Sequence, residues 1–288
     1  MTDSRPGLAA LLVCLSMAGF AAMDSMSKFL VRDYPVVQSL WIRYAIFTGF
    51  ALLVAGRRAT LRSARPWLQA GRGLLALVEN GVFVIAFLHL PLADAHAVAA
   101  SAPLLVIALA VPFLGERAGW HRSMAVLAGL AGVLLIQRPG YAEPRWALLI
   151  PLAGALLWAV YQVQTRLIGR SDPSETTLLW TAVTGLAGTT LLVPWFWIAP
   201  TPGAWALLGG VGLLGSLSHY ALIKALDYAE AGAVQPYTYT LLVWATMLGA
   251  MVFGDVPDAW TIAGAGVVVL SGLYTWHHDR AERPNNAR

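Results

Sequence analysis

The sequence ADAHAV at residues 93–98 returns as AEAGAV at residues 229–234, and FLGE at 113–116 returns as VFGD at 252–255. The offsets are 136 and 139 positions, so each copy occupies about half of the 288-residue chain. A repeat at a fixed offset indicates one structural unit built twice. This duplication decides the fold, because every helix predicted in the first half should have a counterpart in the second.

The composition places both copies in a lipid bilayer. Hydrophobic residues make up 58% of the chain, charged residues only 12%, and the mean hydropathy is +0.65. In soluble domains charged residues alone are about a quarter of the total. The single cysteine, Cys14, allows no intrachain disulfide. The chain is therefore predicted to be an integral membrane protein with only short loops outside the bilayer.

Apolar segments of about 17 to 25 residues, long enough to cross a bilayer as helices, number ten. The predicted fold class is thus an all-α integral membrane protein with ten transmembrane helices. The spans are 8–30, 36–55, 67–90, 93–114, 120–137, 146–168, 176–198, 203–226, 231–253 and 259–276. Tight joins are expected at Leu90-Pro91-Leu92 and around Asp227, where proline or charge ends a helix. Pro103 and Pro236 are expected to kink the fourth and ninth spans. Small residues are expected to let helices pack closely, at Ala128, Gly129, Gly132, Gly264 and Gly266.

Orientation follows from lysine and arginine, which favour the cytoplasmic side near helix ends. With both termini inside, fourteen of the 19 basic residues lie in the cytoplasm. Three lie outside, and Lys28 and Arg43 lie near outer helix ends. The first span is predicted to be an uncleaved helix, since its cleavage would leave the repeat unmatched.

Five spans per copy is an odd number, so the second copy should cross the membrane in the opposite sense. The predicted units are a first five-helix repeat at 1–140, a second, inverted repeat at 141–280 and a cytoplasmic tail at 281–288. Inverted repeats provide two nearly equivalent packings, each open to one side of the membrane, which is the basis of alternating access.

The first half also contains several distinctive motifs, which are Lys28, Pro35, Arg43-Tyr44, Leu90 to Ala95, Pro103, Leu114 to Arg117, Gly129 and Gly132. Together they resemble the EamA-type exporters of the drug/metabolite transporter superfamily. In the second half Gly254-Asp255 stands for the Gly-Glu pair, and Thr181 replaces Arg43. The length and aromatic content are most similar to YddG-type exporters. The resemblance implies export of aromatic and other neutral amino acids across the bacterial inner membrane, with no cofactor.

Candidate substrate contacts follow from the cost of placing polar groups in lipid. A carboxylate at mid-bilayer costs about 2.5–3.5 kcal/mol on insertion scales, so Glu79 should face the interior or a wet cavity. Asn80 is adjacent, and Phe83 lies one turn onward on the same face. Glu79 is predicted to bind a substrate ammonium or a proton. The alternative is a structural carboxylate paired with Arg72.

The eighth, sixth and ninth spans supply further candidates. Each carries polar or aromatic residues at helical spacing on an otherwise apolar segment, a mixture suited to a neutral amino acid. For the sixth and ninth spans the alternative is an interhelical packing seam or a tryptophan at the membrane interface. For His219 of the eighth span it is a histidine satisfied by a neighbouring hydroxyl or carbonyl. The predicted contacts are Ser216, His219 and Tyr220, then Trp158, Tyr161 and Gln162, and finally Gln235 and Tyr239.

Charged residues near helix ends suggest gates. Asp24 and Lys28 are spaced i,i+4 and could pair at the outer end of the first helix, with Arg43 joining them. Arg166 could pair on the inner side with Asp172 or Glu175. A structural ion pair is the alternative reading of these residues.

Motifs for metal hydrolysis, acyl transfer and ATP use are missing from the sequence, and no metal site or nucleic-acid partner is predicted. A secondary transporter of a small molecule is the leading expectation, with proton coupling left open. Three alternatives remain. They are an exporter of another metabolite or drug, a membrane enzyme acting on lipid or isoprenoid headgroups with Glu79 and His219 as acid and base, and a passive channel.

Overall fold

The computed structural model describes residues 6–56, 60–114, 120–137, 146–168, 171–228 and 237–282, and within these ranges the regular structure is entirely helical. Eleven α-helices are described. In chain order, α1 to α11 are Pro6–Leu30, Val36–Ala55, Pro66–His89, Leu92–Ala99, Ala102–Leu114, Trp120–Gln137, Leu149–Ile168, Ser174–Leu192, Pro202–Tyr228, Thr240–Leu248 and Ala259–Glu282.

Eight helical segments in the described ranges are long and apolar enough to cross a membrane. They match eight of the ten predicted spans. The fifth and ninth are represented by the shorter apolar stretches Ser123–Ile136 and Thr240–Phe253. The beginning of the ninth predicted span and the Glu230 part of the join before it lie outside the described residues. The chain is a multi-pass membrane protein.

Proline sets several helix starts. Pro35, Pro91 and Pro173 occupy the N-cap positions of α2, α4 and α8. Proline is tolerated there because the backbone N–H that it lacks has no partner in the first helical turn. The predicted join at Leu90-Pro91-Leu92 is confirmed: Leu90 ends α3 and Leu92 begins α4.

The fourth span is not one continuous α-helix. It divides into α4 and α5 around Ala100 and Ser101, and Pro103 follows in the first turn of α5. The predicted kink is therefore located just before this proline. The ninth span is also irregular, since α10 continues as a π-helix over Gly249–Phe253. It stops at Gly254, whose φ of 71° lies in the left-handed region that glycine adopts without a steric penalty.

Contacts between the two halves follow a reciprocal pattern. Helix α1 packs on α9 and α10, and its counterpart α7 packs on α3 and on α4 and α5. Helix α2 packs on α8 and α9, while α3 packs on α8 and α6 packs on α11. Exchanging the two halves turns the α2–α8 and α6–α11 contacts into themselves and each of the others into another contact that is present.

Small residues allow the closest helix approach, between α6 and α11. A Cβ atom on Gly132 would lie 2.8 Å from the carbonyl oxygen of Gly264, and one on Gly264 would lie 2.6 Å from that of Gly132. The packing role predicted for these two glycines is confirmed. Gly266, predicted alongside them, has open space around its Cβ position.

Candidate functional site

Five residues from three helices form what we call the central cluster: Arg43, Tyr44, Glu79, Asn80 and His219. The Arg43 guanidinium interacts electrostatically with Glu79, Tyr44 and His219. Tyr44 is buried and the other four are half-buried. Because α2, α3 and α9 contribute these groups, the cluster lies between the two halves of the chain.

Glu79 occupies the fourteenth position of the 24-residue helix α3, roughly 20 Å from its first residue at about 1.5 Å per residue. It is therefore far from both membrane surfaces. Asn80 donates from Nδ2 to the Ala76 carbonyl at 2.7 Å and lies 3.4 Å from the Tyr44 hydroxyl. Asn80 of α3 and Tyr44 of α2 thus place polar groups near Glu79, in agreement with its predicted position in the interior.

Glycine makes room for the basic member of the cluster. A Cβ atom on Gly215 of α9 would lie 3.6 Å from Arg43 Nε and 2.8 Å from the sulfur of Met23. A larger residue at position 215 would displace Met23 and crowd the guanidinium. The arginine that the sequence predicted for an outer gate interacts electrostatically with Glu79 in the structure.

Aromatic rings border the cluster on two sides. The His219 ring lies 5.6 Å from that of Phe47 and 6.5 Å from that of Phe20, both edge-on. On the other side Phe83 packs toward α7, where a Cβ atom on Gly154 would lie 2.9 Å from its ring. Edge-to-face rings at these separations form stable apolar walls.

Two polar contacts near the C-terminal end of α1 replace the predicted Asp24–Lys28 pair. Lys28 forms an ion pair with Asp255, and its ammonium also lies 4.7 Å from the Phe253 ring centroid. Asp24 Oδ2 lies 3.2 Å from His96 Nε2. The i,i+4 prediction considered one helix alone, whereas packing brings in partners from α4 and from the segment after α10.

At the opposite end, the loop before α3 is held to the loop between α7 and α8, a contact we call the inner junction. Asp172 accepts hydrogen bonds from the Ser63 hydroxyl, from the Ala64 backbone N–H at 3.0 Å and from Gln69 Nε2 at 2.9 Å. Burial raises the pKa of Asp172, but these hydrogen bonds and the charge of Arg65 outweigh it, so the pKa lies below its ordinary value.

Arg72 closes the inner junction from α3 and is only 1% exposed. It donates to the Thr177 carbonyl at 2.6 Å and to the Thr181 hydroxyl, and its guanidinium lies 4.9 Å from the Tyr161 ring centroid. The predicted alternative, a structural pair between Arg72 and Glu79, is not what this geometry shows, since the arginine is directed at α7 and α8.

The remaining predicted residues are dispersed. Trp158 stacks on Tyr161 at 5.1 Å, beneath Arg72, with Gln162 half-buried beside them. Ser216 donates to the Gly212 carbonyl of its own helix, and Tyr220 packs on Phe50 and Lys224. The Tyr239 hydroxyl lies against Gly272, and Arg166 is exposed. Gln235 lies outside the described residues.

Sequence reasoning missed four residues of this region: Phe20, Tyr44, Phe47 and His96. Tyr44 and Phe47 follow Arg43 at spacings of one and four, so the arginine could have drawn attention to them. Phe20 gave no signal beyond its apolar character. His96 was visible as a histidine within an apolar span, where ionisable groups are rare and usually functional.

No group of three potential metal ligands occurs among the side chains that the structure describes. A shallow groove between α5 and α6 is apolar and separate from the central cluster. It is lined by Ile107, Ala108, Val111, Pro112, Ser123, Val126 and Leu127.

Comparison with known proteins identifies the class of the chain. The model of the EamA-like transporter family matches twice, over residues 7–138 and 145–275. A solved crystal structure resembles the fold with a TM-score of 0.61, at 20% identity, covering 91% of this chain and 96% of the other. At that identity the likeness concerns the fold alone.

Three curated relatives match along most of their length. A riboflavin transporter of Rhizobium johnstonii is 29% identical, covering 97% of this chain and 95% of the relative. An S-adenosylmethionine uptake transporter of Rickettsia bellii is 26% identical, covering 92% of each. A pseudopaline exporter of Pseudomonas aeruginosa is 28% identical, covering 91% and 93%. The chain belongs to the EamA-like transporter family and is a membrane transporter of small metabolites, not an enzyme.

Proposed function

We propose that this protein exports a small zwitterionic metabolite with an aromatic or other apolar side group, the class that includes the aromatic amino acids. The observation that carries the proposal is the central cluster, in which the Glu79 carboxylate and the Arg43 guanidinium interact electrostatically at mid-membrane. The relatives are named for different substrates and for both uptake and export. Substrate and direction must therefore be argued from this chain's own residues.

The cluster offers one partner for each part of such a molecule. Glu79 would receive the ammonium group, and Arg43 would receive the carboxylate, for which a guanidinium is well shaped. Asn80 and the Tyr44 hydroxyl would add hydrogen bonds. The rings of Phe47 and His219 would accept the apolar or aromatic part of the substrate.

Binding of a zwitterion also resolves an electrostatic cost of the empty cluster. Charged groups away from water are expensive unless their charges are compensated. A substrate ammonium and carboxylate inserted between Glu79 and Arg43 would replace water around both residues with direct charge-assisted hydrogen bonds. Because Glu79 and Arg43 carry opposite charges, a purely anionic or purely cationic molecule would place a like charge beside one of them, so the cluster favours zwitterions.

Alternating access is the proposed mechanism. Two copies of the family model, together with the reciprocal packing of the halves, support an inverted repeat with two related packings. The Lys28–Asp255 pair and the inner junction lie at opposite ends of the bundle and would open in alternation. The proposed topology has both termini in the cytoplasm of a bacterium, with the protein in the inner membrane.

Counterflow in proteoliposomes tests the proposal. Liposomes loaded with unlabelled tryptophan, phenylalanine, leucine, riboflavin or S-adenosylmethionine would be diluted into a trace of the same compound in radiolabelled form. We expect transient uptake with the aromatic amino acids and its loss in Glu79→Gln. Uptake with none of the amino acids would contradict the proposed substrate class, and equal uptake by Glu79→Gln would contradict the proposed site.

A further inference from the structure

We propose that Asp24 and His96 form a proton-binding site that couples export of the substrate to entry of a proton. This inference rests on the proposed function and adds a second ligand to it. Its geometric basis is the 3.2 Å contact between Asp24 Oδ2 and His96 Nε2, which joins α1 to α4 away from the central cluster.

The pair is shielded from water in this conformation. The side chains of His96 and Asp24 are only 4% and 14% exposed. Two phenylalanine rings of α3 cover the imidazole, with centroid distances of 5.7 Å for Phe83 and 6.0 Å for Phe87. Nε2 of His96 makes no aligned hydrogen bond despite its proximity to the carboxylate. A buried imidazole nitrogen beside a carboxylate is a position that a proton would satisfy.

Proton uptake neutralises the pair. With His96 neutral and Asp24 ionised, the site carries one negative charge. When a hydronium ion transfers its proton to the imidazole, an O–H bond breaks and releases water, a new N–H bond forms, the imidazolium carries +1, and the sum of the two charges becomes zero. A neutral pair is tolerated in a dry interior far better than a lone charge, so closing the site to water favours the loaded form. Imidazole is the side chain that ordinarily exchanges its proton near neutral pH.

Charged and titratable groups on the elements packed around α4 form the electrostatic surroundings of His96. From α1, Asp24 contacts it, and Lys28 one turn away is engaged by Asp255. From α3, Glu79 lies on the same helical face as Phe83 and Phe87. On α4 itself, Asp94 is buried and has an interaction of its own. The ionisable side chains that the structure describes on α6, α7 and α11 and at the start of α10 are His121, Tyr161, Arg166, Tyr239, Tyr274, His277 and His278.

Asp24 connects the proton site to the substrate site, because it interacts electrostatically with Glu79. A substrate ammonium at Glu79 would reduce the negative potential that holds a proton on the pair. A proton on the pair would in turn weaken binding of the ammonium, since such coupling is reciprocal. Two ligands that exclude each other in this way produce exchange of substrate for proton. His219 also faces the interior. In contrast to His96, it interacts electrostatically with two guanidinium groups, those of Arg43 and Arg72.

The test uses purified full-length protein in sealed liposomes with radiolabelled tryptophan outside and an acidic interior. We expect the wild-type protein to accumulate tryptophan several-fold above equilibrium while an internal pH dye reports proton loss. His96→Gln and Asp24→Asn should bring tryptophan only to equilibrium, although both still exchange it at equal pH. His89→Gln, at the end of α3 against Trp146, is the matched control and should accumulate it as the wild type does.

Equal accumulation by His96→Gln and the wild type would overturn the proton site and leave the substrate site intact. Lack of tryptophan exchange by the wild type at equal pH would contradict the proposed substrate instead. In that case a substrate-free infrared pH titration decides the inference. A protonation change near neutral pH that disappears in both His96→Gln and Asp24→Asn supports the pair, and its persistence in folded variants overturns it.

Discussion

The central cluster and the inner junction are both polar regions inside an apolar bundle, yet their charged side chains differ in hydrogen bonding and in accessibility. At the inner junction the Asp172 carboxylate accepts three hydrogen bonds, and the almost inaccessible Arg72 donates to groups on α7 and α8. In the central cluster Glu79, Arg43 and His219 remain half-buried. Polar groups that are hydrogen-bonded across helices hold those helices together, whereas partly accessible ones at mid-membrane are available to a ligand.

The largest expected effect separates these two regions. Glu79→Gln removes the negative charge that would bind a substrate ammonium, and a hydrogen bond to a charged group is worth about 1.5–3 kcal/mol. We therefore expect substrate affinity to fall roughly 10- to 100-fold, since about 1.4 kcal/mol is tenfold. Scintillation-based binding of the substrate found by counterflow measures it. The exposed Asp33→Asn is the matched control, and an equal loss there would assign the effect to net charge.

The inner junction should respond in stability rather than in binding. Asp172→Asn replaces an ionised acceptor of three hydrogen bonds and is expected to cost about 1–3 kcal/mol. A fall in thermal unfolding midpoint in detergent, with unchanged substrate affinity of the folded fraction, is the expected result. Ser171→Ala, at the adjacent position, controls for general disturbance of the loop, because its hydroxyl bonds only locally to the Ile168 carbonyl.

The same carboxylate predicts a pH dependence. The pKa of Asp172 is lower in the folded protein than its ordinary value of 3.8. Its contribution to stability is therefore fully present above about pH 4 and disappears as the pH falls through the lower folded pKa. Over that acidic range the thermal unfolding midpoint of the wild type should fall more than that of Asp172→Asn, because the variant lacks the stabilising carboxylate. Identical pH profiles for the two proteins would contradict the assignment.

A smaller effect is expected at the aromatic border of the central cluster. His219→Phe keeps a ring against Phe20 and Phe47 and removes only the polar nitrogens. If the imidazole acts mainly as an apolar wall, transport should change only a few-fold, and His219→Ala should be more harmful because it removes the ring. Initial rates of counterflow rank the two variants. A collapse of transport in His219→Phe would show that an imidazole nitrogen contacts the substrate.

Much of the fold was predictable from hydropathy and repetition, because apolar length and proline position are local properties. Eight of the spans and the join at Pro91 agree with the structure. The division of the fourth span at Ala100 and Ser101 was not located, although Pro103 indicated a kink. That break depends on how α4 and α5 pack against different neighbours, which the sequence does not display.

One part of the site, the position of Glu79, was predictable from the free-energy cost of placing a charged group in lipid. The cost of a carboxylate in lipid placed Glu79 in the interior correctly. The partners of Asp24 and Lys28 were not predictable, because they lie 72 and 227 positions away, at His96 and Asp255. Arg43 was also assigned to a gate, since its electrostatic interaction with Glu79 arises from the packing of α2 and α3, which sequence spacing does not show. Pairings across helices depend on packing, so neighbours along one helix were the only ones that sequence spacing could suggest.

The most direct test compares the two polar regions in one assay. Counterflow of radiolabelled tryptophan would be measured for Glu79→Gln and Asp172→Asn, reconstituted at equal amounts of folded protein. We predict that Glu79→Gln abolishes exchange, whereas Asp172→Asn, once folded, exchanges tryptophan at close to the wild-type rate. Retained exchange in Glu79→Gln together with its loss in Asp172→Asn would contradict the assignment of the central cluster as the substrate site.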